Sequence, residues 1–208
     1  DEVDTPPAPP LVAVALSWQL VGDFATHWGL RDFPYEVLTR LVHYRESLIW
    51  HRVLRQGERL RLVGRIDAIL PHRAGTLFTV GIAATDTTGQ PAFTEETTAL
   101  LRGVSCKGEG RVLPGTNLTL PQTPQIPPRW EHPARIDALA AHVYDGCTNI
   151  SFPIHTSRRF ARHVGLSAPV YHGTATLARA CGIIVDRECG GEPGRVRGLG
   201  ARFTSVVP

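Results

Sequence analysis

The segment "LVAVALSWQL", residues 11–20, is apolar on nearly every side, and in a water-soluble chain such a run has to be enclosed. Periodicity alone admits a buried strand or a buried helix. The "PAPP" just ahead of it favours a sharp turn into a helix, because proline is tolerated in a first helical turn. A second run, "HGTATLARACGIIV" from His172, is again apolar on most sides and reads as a second enclosed helix. Between them, "GDFATHWGLRDFP" reads as a loop and "YEVLTRLVHYRESL" as an element of undecided type. The stretch from Ser47 to Gly103 then alternates β-rich runs with turns at Gln56-Gly57, His72–Gly75 and Thr87–Gln90. Period-two apolar positions such as Leu60/Leu62 and Phe78/Val80/Ile82 predict three or four antiparallel strands in a meander. A curved sheet wrapped round each apolar helix is the packing that satisfies both signals.

The chain has 208 residues, room for one large domain or two small ones. Residues 1–103 are expected to form a first unit. Residues 104–133 are expected to cross between units in extended form, since "LPGTNLTLPQTPQIPPRWEHP" holds six prolines. Residues 134–208 would form the second unit, with Ile136, Leu139, Ala140 and Val143 at helical spacing. "TSRRFARHVGL" predicts a short helix capped by Thr156 or Ser157 and stopped by Gly165. "RVRGLGARFTSVVP" is strand-like, with no turn and no partner strand after it in the sequence.

Several classes are disfavoured. The net charge of +3 is spread along the chain without a block of like charges, so no nucleic-acid partner is expected. "RRFARH", the densest basic stretch, reads as a solvated face or at most a patch for a phosphorylated carrier group. No apolar run has membrane-spanning length and no signal-like segment opens the chain, which predicts a cytoplasmic protein with no membrane partner. Cys106, Cys147, Cys181 and Cys189 show no metal or disulfide spacing, so no metal or other cofactor is expected. The sequons at Asn117 and Asn149 read as chance matches.

The chemistry concentrates in "NISFPIHTSRRFARHVGLSAPVYHG". Pro153 and Ile154 hold an extended approach that orients His155 ahead of a helix cap. Gly173 stands at the entry to the second apolar helix, where unpaired N–H groups and the helix dipole suit a carbonyl oxygen gaining negative charge. A histidine base with such a donor fits proton abstraction alpha to a carbonyl. His51 and His163 carry no such context, and His172 is expected to pack or bond at the helix entry.

From Tyr144 to Ala180 the sequence resembles the MaoC-like branch of the hotdog superfamily, the (R)-specific 2-enoyl thioester hydratases and 3-hydroxyacyl thioester dehydratases. Pro153-Ile154-His155, Phe160-Ala161, Gly165-Leu166 and Pro169-Val170-Tyr171-His172-Gly173 fall in register with that family's pattern. "YRESLIWHRVLRQGERLRLVGRI" resembles the first unit of its double-hotdog members. The resemblance implies an α+β double hotdog whose second unit is incomplete, lacking its late strands. It implies that His155 is the catalytic base and Gly173 the oxyanion donor. Ile150, Phe152, Tyr171 and His172 would line the substrate site. The substrate would be an acyl-CoA or acyl-carrier-protein thioester of fatty-acid or polyketide-type biosynthesis. Assembly would be as a homo-oligomer or with a partner hotdog chain.

One departure stands out. The family's Asp, five residues before the His, is Ile150 here, and its Asn is Phe152. Asp145, Thr148 and Asn149 lie nearby but out of register, while Asp23, Glu36 and Glu46 are nominal acids from the first unit. Dehydration, isomerisation or conjugate addition with altered acid–base chemistry is the expectation. The alternative is an inactive acyl-binding or structural subunit.

Overall fold

The computed structural model describes residues 6–119, 122 and 126–208, so part of the proline-rich crossing, at 120, 121 and 123–125, lies outside the described residues. The chain opens with α1 (Val12–Gly22) and a short α2 (Phe24–Trp28). A 3-10 turn over Tyr35–Arg40 then leads into β1 (Leu41–Trp50), which resolves the undecided element. Next come β2 (Leu60–His72), β3 (Gly75–Asp86), β4 (Pro91–Arg102) and the two-residue β5 (Arg111–Val112). The later part holds α3 (Ala140–Thr148), α4 (Arg158–His163), α5 (Gly173–Glu188) and β6 (Gly198–Arg202).

All strand pairs are antiparallel, in one six-stranded sheet of order β5-β2-β3-β4-β1-β6. The meander is therefore β2-β3-β4, and β1 closes on β4 rather than on β2. Local chemistry fixes the hairpins. Asp86 Oδ1 accepts the N–H groups of Thr88 at 2.9 Å and Gln90 at 3.0 Å, which turns β3 into β4 through Gly89 at φ 87°. Gly75, at φ 150°, has no room for a side chain because a Cβ would stand 2.0 Å from the Leu101 carbonyl oxygen.

The first apolar run packs on the inner face of the sheet as expected. Ala13, Val14 and Ser17 of α1 are buried, and only Gln19 and Gly22 of this helix are exposed. Ala13 and Val14 meet Leu48 and Trp50 of β1 and Ala92 and Phe93 of β4 in one core cluster, to which α5 adds Leu177, Cys181 and Val185. A second cluster under α2 joins Phe24 to Phe78, Val80 and Ile82.

The second apolar helix corrects the expectation of full enclosure. One stripe of α5 is buried while Ile184, at 40% exposure, and most of the opposite face meet solvent. The cause is the sheet: it ends at β6, a five-residue strand, and the outer side of α5 meets Arg129 and Trp130 near its end, where Arg187 lies over the Trp130 ring at 4.4 Å. The run after α5 does find a partner strand, because β6 pairs with β1 from Arg45↔Arg202 to Ile49↔Gly198. The helical spacing at 136–143 likewise marks a helix that hides little, with Leu139 and Val143 exposed. α4 starts at the Ser157 cap, whose hydroxyl accepts the Phe160 N–H at 3.2 Å, and Gly165 at φ 83° ends it. Among the described residues no helix is long and apolar enough to cross a membrane.

Candidate active site

A cavity of about 390 Å³ opens where α1, α2, β1 and β4 meet the 150–155 loop, the start of α5 and the C-terminal segment. Ile150, Phe152, His155, Tyr171, His172 and Gly173 all line it, so the motif residues converge on one space.

His155 sits in the turn made by Pro153, whose carbonyl accepts the Ser157 N–H at 2.9 Å. Its Nδ1 lies 2.8 Å from the Val170 carbonyl oxygen. A carbonyl only accepts, so Nδ1 carries the hydrogen and Nε2 keeps its lone pair. Burial, then the neighbouring His172 ring, push the His155 pKa down to about 4, against the opposing bond to Val170. The imidazole is thus neutral at pH 7 and able to take a proton.

His172 stacks on His155 with ring centroids 3.6 Å apart and is 1% exposed. Its Nε2 donates to the Ile150 carbonyl at 3.2 Å, and burial holds its pKa at about 4. Asp145 Oδ1 lies 2.6 Å from the same nitrogen. That carboxyl is itself raised by burial, despite opposing effects from His155 and His142. Asn149, in the left-handed region at φ 57°, ends α3 and turns the chain so that Asp145 stands behind His172 while Ile150 faces the cavity. The carboxyl close in sequence therefore lies against His172 and outside the cavity lining, with Oδ1 unpaired among the described residues. The register position itself holds the 3%-exposed Ile150 side chain, part of the core.

Gly173 begins α5. The preceding His172 gives the helix no side-chain cap, so the first-turn N–H groups are left for a ligand. A Cβ at Gly173 would stand 3.1 Å from the Phe203 ring, so the absence of a side chain sets how closely the C-terminal segment covers this helix end. Tyr171 is tied to that segment by its N–H on the Val207 carbonyl at 2.7 Å.

Of the three acids named from residues 1–103 of the sequence, Glu46 lines the cavity and Asp23 and Glu36 do not. Asp23 caps α2, accepting the Thr26 N–H at 3.3 Å, and Glu36 is exposed. Glu46 is 1% exposed and its pKa is pushed up to about 8, first by burial and against the opposing influence of the adjacent Thr97 hydroxyl and Glu95 carboxyl. Two partners escaped the sequence reading. Glu95, 3% exposed, is raised well above its usual value by burial and then by Glu46. His43 is lowered to about 4 by burial. Glu95 was visible in principle, since alternation places Phe93, Glu95 and Thr97 on one face of β4. His43 and Glu46, three apart, should face opposite sides of a strand. A β-bulge at Tyr44 restores them to the same side and sends Arg45 outward to Glu96 at 2.7 Å.

Comparison with known proteins adds the family. The sequence model described as "MaoC like domain" matches residues 120–208. The C-terminal part of the chain is a MaoC-like domain. Residues 3–95 match the "FAS1-like, dehydratase domain region". A curated relative, a UPF0336 protein of Saccharopolyspora erythraea, is 31% identical over 105 residues, which span 50% of this chain and 64% of that protein. Among solved structures, a MaoC-like dehydratase from Phytophthora capsici aligns with a TM-score of 0.80 at 21% identity. The alignment covers 97% of this chain and 69% of that one. A Mycobacterium tuberculosis protein with a double hotdog fold aligns with a TM-score of 0.55 at 14% identity over 99% of this chain and 67% of that one. The antiparallel sheet with helices packed on its inner face is the hotdog fold, and the MaoC-like domain contributes α5 and β6 to it.

Proposed function

We propose that this protein is a hydratase or dehydratase of 2-enoyl and 3-hydroxyacyl thioesters. The observation that carries the reading is the single-tautomer His155, with Nδ1 bonded to Val170, in the same cavity as the uncapped start of α5 at Gly173. The thioester carbonyl binds at the Gly173 N–H, which stabilises the enolate formed when C2 loses its proton. His155 Nε2 takes that proton, the C3–O bond breaks, and the same imidazolium returns the proton to the departing hydroxyl as water. Hydration is the reverse. One imidazole then serves both steps, which suits a site where Ile150 stands in place of an acid. Phe152, Tyr171 and His172 shape the space round the reacting carbons.

The acyl carrier is coenzyme A or an acyl carrier protein, in fatty-acid or polyketide-type biosynthesis in the cytoplasm. The solvent-facing side of α5 around Ile184 and the edge strand β6 support association with a second copy or a partner hotdog chain. His155→Ala tests the chemistry: hydration of a 2-enoyl-CoA should fall by roughly 10²–10⁴-fold, the loss typical of a general acid–base group. A wild-type protein that binds acyl-CoA but turns over neither direction leaves the acyl-binding reading, which Ile150 favours.

A further inference from the structure

The cavity is walled mostly by apolar side chains, yet two carboxyls end in it from neighbouring strands. Glu46 of β1 stands opposite Thr97 of β4, and Glu95 of β4 opposite Leu48 of β1, so the two acids are diagonal neighbours on the inner face. Ser17 of α1 faces Glu95, and Thr97 faces Glu46. They are 1% and 3% exposed, beyond the reach of bulk water. Glu46 Oε1, Glu46 Oε2 and Glu95 Oε2 have no hydrogen-bond partner among the described residues. His43 Nε2 is 3.0 Å from Glu46 Oε2, but its N–H serves the Arg45 carbonyl, also at 3.0 Å. A buried polar atom left unpaired costs about 1–3 kcal/mol; a proton shared between the two carboxyls pairs one oxygen of each and still leaves a Glu46 oxygen for an occupant to pair.

Position says which part of a substrate arrives there. From Gly173, contacts run to the Phe203 ring, on to the His43 ring with centroids 4.4 Å apart, and then to Glu46. The carboxyls thus lie two ring contacts from the helix end where a thioester carbonyl binds. Apolar residues continue past them on the first-unit side, among them Val14, Trp18 and Val21 of α1 and Phe24, Phe78 and Val80.

We propose that the Glu46–Glu95 pair is a recognition subsite for an uncharged hydrogen-bonding group, a hydroxyl or ketone oxygen, carried by the acyl chain a few carbons beyond the two that react. The inference rests on the thioester reading above and narrows it: the preferred chain is oxygenated in its middle and apolar at its end. A plain alkyl chain leaves that Glu46 oxygen unpaired and desolvated, whereas a hydroxyl both donates to and accepts from the carboxyl pair. Sites built to bond a substrate hydroxyl discriminate strongly against analogues that lack it.

The test compares a trans-2-enoyl-CoA bearing a C5 hydroxyl with its unsubstituted chain-length match. The wild-type protein should favour the hydroxylated chain in kcat/KM by at least about tenfold. Glu46→Met and Glu95→Met, near-isosteric and apolar, should bring that ratio to unity or reverse it. Calorimetric binding of the saturated 5-hydroxyacyl- and acyl-CoA pair to the wild-type protein reads the same preference without catalysis. An inactive protein that still prefers the hydroxylated ligand sinks the hydratase reading and leaves the subsite standing. Equal binding and equal turnover of the two chains overturn the subsite, and so does an equal loss on both chains in the Met variants, which would place the carboxyls in the chemistry instead.

Discussion

Glu46→Gln should flatten the alkaline side of the stability curve. In the folded protein burial raises the Glu46 pKa from 4.5 to about 8. A raised carboxyl pKa means that the folded state holds its proton more tightly than the unfolded chain does. The associated stability is fully present below pH 4.5 and is lost as pH climbs through 8, at about 1.4 kcal/mol per pH unit and roughly 5 kcal/mol over the whole window. Glu46 is buried, so solvent screening does not reduce the effect. Between pH 6.5 and 8 the integrated share is about 2 kcal/mol. His43, His155 and His172, each lowered to about 4, act in the opposite sense: their stability is lost as pH falls from 6.5 through 4. Those histidines are common to wild type and variant, so they drop out of the difference. Urea unfolding at the two pH values should show the Gln variant losing about 2 kcal/mol less than wild type over the interval. Glu95 should lose part of its own elevation as well, because the Glu46 charge contributes to it. Parallel loss in the two proteins would mean that Glu46 is already ionised and solvated in the folded state.

Ile150→Asp should raise 2-enoyl-CoA hydration by about tenfold or more by setting a water-binding carboxylate near the imidazole. The same change should lower the melting temperature, since the position is 3% exposed and packed in the core. Gly173→Ala, whose Cβ meets Phe203 at 3.1 Å, should cut kcat/KM by roughly tenfold or more, with partial recovery on adding Phe203→Leu; an unaffected rate would mean that the contact with Phe203 does not set the position of this helix end. Sedimentation should show species heavier than the 22.7 kDa chain, and a stable monomer would count against association through β6 and the open face of α5.

What was legible in the sequence was whatever local chemistry decides. The Ser157 cap, the Gly165 stop and the Asp86 turn act within a few residues of themselves, so their patterns could be read directly. The convergence of His155, His172 and Gly173 was legible because motif spacing encodes it. Two features were not. The one-sided burial of α5 depends on how many strands follow it in the sheet, and no property of the helix's own residues reports that. The placement of His43 beside Glu46 depends on a bulge, and a bulge inverts the alternation from which strand faces are inferred.

That bulge also joins the halves of the site. Tyr44, the extra residue, presents its carbonyl to the Phe203 N–H at 2.9 Å, one residue past the end of β6. The irregularity that turns His43 and Glu46 toward the cavity therefore also fixes Phe203, which stacks on His43 at 4.4 Å and covers Gly173. His155 and Gly173 follow the proline-rich segment in the chain and the carboxyl pair precedes it, and the β1–β6 seam is where the two sets are held in register. The distance between the His155 imidazole and the buried carboxyls is thus set by strand pairing rather than by either motif. The chamber wall at Glu46 and Glu95 is therefore decided by the pairing of β1 with β4 and β6, which acts between residues far apart in the sequence.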